Sequence, residues 1–206
     1  MKALLINGSP NEHGCTYTAL GEVEKTLRKN GVETELFWIG KKPISGCTAC
    51  GACAKTGNCV FDDGVNTLLE KIDGIDAVVV GSPVYYAGPC GQLTAFLDRL
   101  FCAGSRKLTG KPAACVVSCR RGGATAAFDR LNKYFLINNM PLVPSNYWNQ
   151  VHGQKPEDVL RDEEGMQTMR ILGENMAWLL KCIEAGRAAG VPEPNAEPKI
   201  KTNFIR

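Results

Sequence analysis

Apolar residues fall in short unbroken runs separated by stretches of helical periodicity, and the two patterns alternate along the chain. KALLINGS at 2–9 is a compact apolar run that stops at a Gly–Ser–Pro turn, the pattern of a buried strand. Helical character follows over 16–29, with Gly31 placed to end the helix. ETELFWI at 33–39 predicts a second strand, and 65–72 a short helix. DAVVVGSP at 76–83 carries the continuous valines of a strand covered on both faces. GQLTAFLDRLF reads as helix, KPAACVVSC at 111–119 as a further covered strand, 124–138 as helix and PLVPSNYW at 141–148 as a fifth strand. A last helix over 164–187 places Met166, Met169, Leu172, Met176, Leu179, Leu180 and Ile183 on one face.

Such alternation predicts an α/β fold, a doubly wound five-stranded parallel sheet with helices on both faces. The 206 residues suit one domain, expected over 1–190 with a cysteine-rich loop at 46–64. An extended tail is expected over 191–206, where three prolines interrupt a polar segment, lying across a surface or a neighbouring subunit. A formal charge of +3 with scattered Lys and Arg argues against nucleic acid as a partner. No apolar run approaches the roughly 20 residues that span a bilayer, so no membrane is expected. MKALLINGSP turns polar at Asn7, too early for a signal-peptide core, and the expected location is cytoplasmic. Ten cysteines in a reducing compartment point to metal or redox chemistry more than to a disulfide scaffold.

In sheets of this kind ligands bind beyond the carboxyl ends of the strands. GSPNEHGCTYT joins the first strand to the first helix and lacks both the dinucleotide and the nucleoside-triphosphate glycine signatures. It offers hydroxyls at Ser9, Thr16 and Thr18 with the free amides of a helix N-terminus, and no Lys or Arg lies between Gly8 and Glu24. Neutral donors on a helix dipole can hold a phosphate dianion without a cationic partner. The competing reading is a plain turn whose Ser and Thr cap the helix. His13 reads as a solvated loop residue.

GSPVYYAGP exposes Tyr85 and Tyr86 after the third strand, where they could flank a planar heterocycle or simply cover the core. SCRRGGAT follows the fourth strand; Gly122 and Gly123 permit close backbone approach, and one of Arg120 and Arg121 could face inward toward negative charge on a ring. A phosphate site and a flat-ring site, taken together, match the shape of FMN.

The motif order GSP…G-x-T at 8–16, SPVYY at 82–86 and the Gly-rich loop after strand four resembles the flavodoxin-like, NADPH-dependent FMN reductase family over about 1–150. The cysteine run points to its iron–sulfur flavoprotein branch. That resemblance implies strand order 2-1-3-4-5 with the cysteine-rich insertion after strand 2. It also implies FMN contacts at Ser9, Asn11, Cys15, Thr16 and Thr18, ring contacts at Pro83, Val84, Tyr85 and Tyr86, and further contacts from Ser118 through Arg120, Arg121, Gly122 and Gly123. Asn11 and Cys15 depart from the Arg and Asn common at those places in the family.

GCTACGACAKTGNC at 46–59 carries Cys47, Cys50, Cys53 and Cys59 in a C-x2-C-x2-C-x5-C spacing, with Gly46, Gly51 and Gly57 able to bend the backbone. Compact runs of this kind hold [4Fe–4S] clusters. The iron–sulfur flavoprotein branch resembles the run closely, including the C-x-x-D-D of Cys59 to Asp63. Free thiols and a zinc site remain alternatives, although zinc favours two separated knuckles or histidine, and the chain has only His13 and His152. Cys90, Cys102, Cys115 and Cys182 read as small core residues. Cys119 reads the same way, since it has no histidine near it in the sequence.

The expected protein is therefore an FMN-dependent oxidoreductase in which the flavin does the chemistry and a [4Fe–4S] cluster exchanges single electrons. NAD(P)H or ferredoxin would donate electrons, a small molecule would accept them, and the family resemblance implies a homodimer or homotetramer. A cluster-free NAD(P)H-dependent FMN or quinone reductase is the alternative within the same class. A non-enzymatic flavodoxin-type carrier is the alternative from another class, and the pI of about 8.3 argues against it.

Overall fold

A computed structural model describes the chain from Met1 to Ile205, apart from residues 196, 199 and 203. In chain order the elements are β1 (Lys2–Asn7), α1 (Cys15–Lys29), β2 (Glu33–Trp38), α2 (Cys53–Thr56), α3 (Gly64–Lys71), β3 (Ala77–Tyr85) and β4 (Gly88–Pro89). They continue with α4 (Gly91–Leu108), β5 (Ala113–Cys119), α5 (Ala124–Ile137), β6 (Gln150–His152), α6 (Pro156–Val159) and α7 (Glu163–Ala188).

The parallel sheet runs in the order β2-β1-β3-β5-β6, with β4 pairing antiparallel to the end of β3. The expected doubly wound order is present, and the strand count is six rather than five because of β4. Tyr86 and Ala87 form the two-residue turn of that ribbon and both have positive φ, at 49° and 58°. Paired positive φ values are what a tight hairpin of native twist demands.

The central strands are apolar on both sides because both faces are covered. All seven residues of β5 and the first six of β3 are buried. Leu4, Ile6, Val78, Val80 and Val117 pack on the α3–α4–α5 side, whereas Ala3, Leu5, Val79 and Val116 pack against α1 and α7. Alternate residues of one strand thus feed two separate cores. Met166, Met169, Leu172, Met176 and Leu180 close the second core from α7.

The fifth parallel strand is not where the apolar pattern places it. Residues 141–148 contribute one isolated bridge, Leu142 to Ala113, and the strand forms at Gln150–His152 instead. Pro141 and Pro144 lack the amide hydrogens a ladder needs. Two of the cysteines read as core residues, Cys102 and Cys182, are exposed, while Cys90, Cys115 and Cys119 are buried. From 191 the described residues are irregular, with Val191 and Phe204 exposed, and the expectations for positions 196, 199, 203 and 206 lie outside the described residues. Among the described residues no helix is long and apolar enough to cross a membrane.

Candidate functional site: a cleft at the strand ends and a thiol-lined recess

At the carboxyl end of the sheet the first loop is held open by its own polar side chains. Asn7, fully buried at the end of β1, donates from Nδ2 to the Glu12 carbonyl (2.9 Å), and its Oδ1 accepts from the Ser9 amide (3.0 Å). The Ser9 Oγ accepts from the Asn11 amide at 3.1 Å, and Trp38 Nε1 donates to the Ser9 carbonyl at 2.7 Å. These bonds keep the loop from collapsing across the start of α1. Gly14 stands at that helix's N-cap with no side-chain cap, and the first turn contains no acidic residue. The reading in which Ser and Thr merely cap this helix therefore does not hold. Uncapped amides at the positive end of a 15-residue helix are able to attract an anion.

Thr16 is set in place by a close approach. A Cβ at Gly81 of β3 would lie 2.7 Å from both Thr16 Cγ2 and Leu20 Cδ1, so only glycine lets α1 sit this near the sheet. The Thr16 and Ser118 hydroxyls then share a 2.8 Å hydrogen bond, joining the first loop to the end of β5.

Five strand ends contribute to one cleft of about 700 Å³, within the roughly 300–1,000 Å³ of small-molecule sites. Of the residues singled out in the sequence, Ser9, Asn11, Cys15, Thr16, Pro83, Val84, Tyr85, Ser118 and Arg120 line it. Thr18, Tyr86, Arg121, Gly122 and Gly123 do not; Thr18 Oγ1 turns back to donate to the Gly14 carbonyl at 3.3 Å, and Tyr86 is fully exposed. His13 lines the cleft and packs edge-on against Tyr17 at 4.8 Å.

Lys41 and the Gly153–Pro156 segment, which no sequence motif marks, also line the cleft. With Arg120 they give it three cations, Lys41, Arg120 and Lys155, against the single carboxylate of Glu12. The first loop contains no cation, yet the cleft does. Gly153 is anchored by its amide to the Cys119 carbonyl (3.1 Å) and by its own carbonyl to Cys15 Sγ (3.7 Å). Cys119 is the buried core thiol expected, but it does have a histidine beside it: its Sγ lies 3.4 Å from His152 Nδ1, a neighbour 33 residues away in sequence. Burial pushes the Cys119 thiol up, as it does Cys15.

The cysteine run leaves the sheet after β2 and forms a second, smaller recess of about 170 Å³. Cys47, Cys50, Cys53 and Cys59 all line it, joined by Cys102 of α4, which no sequence pattern links to them. Ala49, Gly51 and Gly57 bend the loop through positive φ; Gly46 does not. Cys53 and Cys102 bring their Sγ atoms to 3.7 Å, and the Cys102 thiol is pushed up to about 11, first by that hydrogen bond and then by burial and the charges of Cys53 and Cys47. Asn66 clamps the backbone of Cys59, accepting from its amide at 2.8 Å and donating to its carbonyl at 2.9 Å.

Beneath the recess lies Arg99, 2% exposed. Its guanidinium forks onto Asp63 at 2.7 and 2.9 Å and donates to the carbonyls of Ser45 and Phe61 at 3.3 and 3.2 Å. One cation thus ties the start of the cysteine loop to its end. Burial alone would raise the Asp63 carboxyl, but hydrogen bonds from Arg99 and the Val65 amide outweigh it and hold the carboxyl below its usual range. Among the described residues no three His, Cys, Asp or Glu side chains converge on a single metal-ion position. The donor set is nonetheless all thiol, in a mostly apolar recess, and soft donors of this kind suit iron–sulfur or other thiophilic centres.

A cleft at the switch point of a 2-1-3 sheet, with an uncapped helix N-terminus at one end and Tyr85 and Arg120 along its walls, is the arrangement of a flavodoxin-like α/β protein. The chain belongs to the NADPH-dependent FMN reductase family, whose profile matches residues 1–155, and to its iron–sulfur flavoprotein branch. An iron–sulfur flavoprotein of Methanocaldococcus jannaschii is 31% identical over 194 residues, spanning 89% of this chain and 100% of that one. One from Methanosarcina thermophila is 27% identical over 192 residues, spanning 91% and 99%. Among solved structures, RosB with bound 8-demethyl-8-formylriboflavin-5′-phosphate superposes with a TM-score of 0.71 at 17% identity, over 100% of this chain and 92% of that one. An archaeal flavodoxin superposes at 0.61 with 16% identity, over 88% and 99%; at such identities the likeness is one of fold. Family and branch together make this chain an FMN-dependent oxidoreductase.

Proposed function

We propose that the protein couples a flavin in the cleft to a [4Fe–4S] cluster on the cysteine loop, moving electrons between a two-electron donor and one-electron partners. The observation that carries this reading is the pairing of two sites on one fold: a hydroxyl-rich cleft on an uncapped helix, and four thiols of a C-x2-C-x2-C-x5-C run lining one recess.

In the cleft, Ser9, Thr16 and the amides at the start of α1 hold the phosphate, and Lys41 and Lys155 offset its charge. Pro83, Val84 and Tyr85 would wall the ring, and the Arg120 guanidinium would stabilise negative charge on it. FMN supplies the hydride and electron chemistry, so the chain itself needs no acid–base dyad. Cys47, Cys50, Cys53 and Cys59 are the proposed cluster ligands, and the cluster supplies one-electron carriage. NADPH would reach the flavin from the open side of the cleft. A ferredoxin-like partner would meet the exposed cysteine loop.

Iron, sulfide and flavin determination on anaerobically purified protein tests this directly. Wild type should contain all three, and Cys50→Ala should lose iron and sulfide while retaining FMN. Wild type with flavin but without iron and sulfide would leave the cluster-free reductase. Zinc in place of iron would leave a structural metal site. NADPH turnover with an artificial acceptor separates an enzyme from a flavodoxin-type carrier.

A further inference from the structure

We propose that Arg99 is a positioning residue that sets the reduction potential of the iron–sulfur group through a hydrogen bond from its Nε to Cys59 Sγ. The inference rests on the cluster reading above and adds a residue outside the cysteine motif. Nε donates to Cys59 Sγ at 3.1 Å, while Nη1 and Nη2 are taken by Asp63, Ser45 and Phe61. The guanidinium also lies 4.9 Å from the centroid of the Phe61 ring.

A loop brace would be complete with those four oxygen contacts. The remaining donor meets sulfur, a weak acceptor as a neutral thiol and a strong one as a thiolate. Burial makes the contact matter, because a charge this far from water acts on its neighbour with little screening. Of the four proposed ligands only Cys59 is served in this way. Among the described residues no other cationic side chain donates to Cys47, Cys50, Cys53 or Cys59.

Reduction adds one electron and breaks no bond at the protein. With dithionite as the electron source, the reduced cluster carries one more negative charge than the oxidised one. A cation and an N–H on a ligand sulfur favour the more negative state and so raise the midpoint potential. Asp63 opposes this in part, since its carboxylate lies on the far side of the guanidinium from Cys59.

The test is a mediated, anaerobic potentiometric titration followed by electron paramagnetic resonance. It compares wild type with Arg99→Gln, Arg99→Lys and Asp63→Asn, each first assayed for iron and sulfide. Arg99→Gln should titrate at a more negative potential than wild type, with Arg99→Lys between the two. Asp63→Asn should move the other way, to a more positive potential, and it carries the test if Arg99→Gln fails to fold. A residue that only braces the loop would change cluster content or thermal stability and leave the midpoint unchanged. Loaded variants sharing the wild-type midpoint would therefore overturn the assignment, whereas wild type without iron and sulfide would instead overturn the cluster reading beneath it.

Discussion

Thr16 carries packing and, in the proposed function, phosphate binding as well. Its methyl group fills the space left by Gly81, and its hydroxyl reaches Ser118. A larger apolar side chain has no room there and removes the hydroxyl from the anion end of the cleft. Thr16→Leu should weaken FMN binding at least about tenfold, or roughly 1.4 kcal/mol, as read by quenching of flavin fluorescence. Unchanged affinity would mean that the phosphate lies elsewhere. Ser9 and Thr16 were legible because hydroxyls on a strand-to-helix turn are a local pattern. Asn7, which orders the loop from a fully buried position, was not: its role depends on Glu12 and Ser9 folding back over it. The Cys119–His152 contact was hidden for a similar reason, since only the pairing of β5 with β6 brings those residues together.

Among the elements, the covered strands were the easiest to read, because a strand buried on both faces must be apolar throughout. The edge was harder. β6 is three residues long and two of them are polar, so QVH carries almost no periodic signal, whereas PLVP nearby is more apolar but poor in ladder donors. An expected strand start nine residues early also concealed the loop after β6, and with it Lys155. The approach of α1 to β3 makes a second prediction. Gly81→Ala puts a Cβ within 2.7 Å of Thr16 and Leu20, and should cost roughly 1–3 kcal/mol in thermal or urea denaturation. Flavin retention should fall with it, because the same shift displaces Thr16. If stability is unchanged, α1 is not pressed against the sheet as described.

For the whole molecule, the edge of the sheet is tied to its neighbours by charge. Glu35 of β2 accepts from Lys2 of β1 and Lys71 of α3, each at 2.6 Å. Hydrogen bonding to Lys2, then to Lys71, holds its carboxyl below the usual range. A carboxyl depressed in the folded state stabilises the fold above its unfolded value of about 4.3, and that stabilisation is lost as pH falls through the lowered one. The pair is partly exposed, so Glu35→Gln should cost only about 0.5–1 kcal/mol at pH 7 in urea denaturation. The difference from wild type should shrink once the pH falls below about 4.3. A constant difference into the acid range would show that the effect is not electrostatic.

The chain's own pattern was enough to determine a parallel α/β sheet, the hydroxyl loop and the four-cysteine run. All of these are local, or repeat with the period of a strand or a helix. Tertiary structure alone decided which cations face the cleft, that Cys102 joins the motif thiols, and that a buried arginine spans the cysteine loop. The cysteine and arginine contacts link residues 36 to 54 positions apart, and no short window of sequence contains both partners.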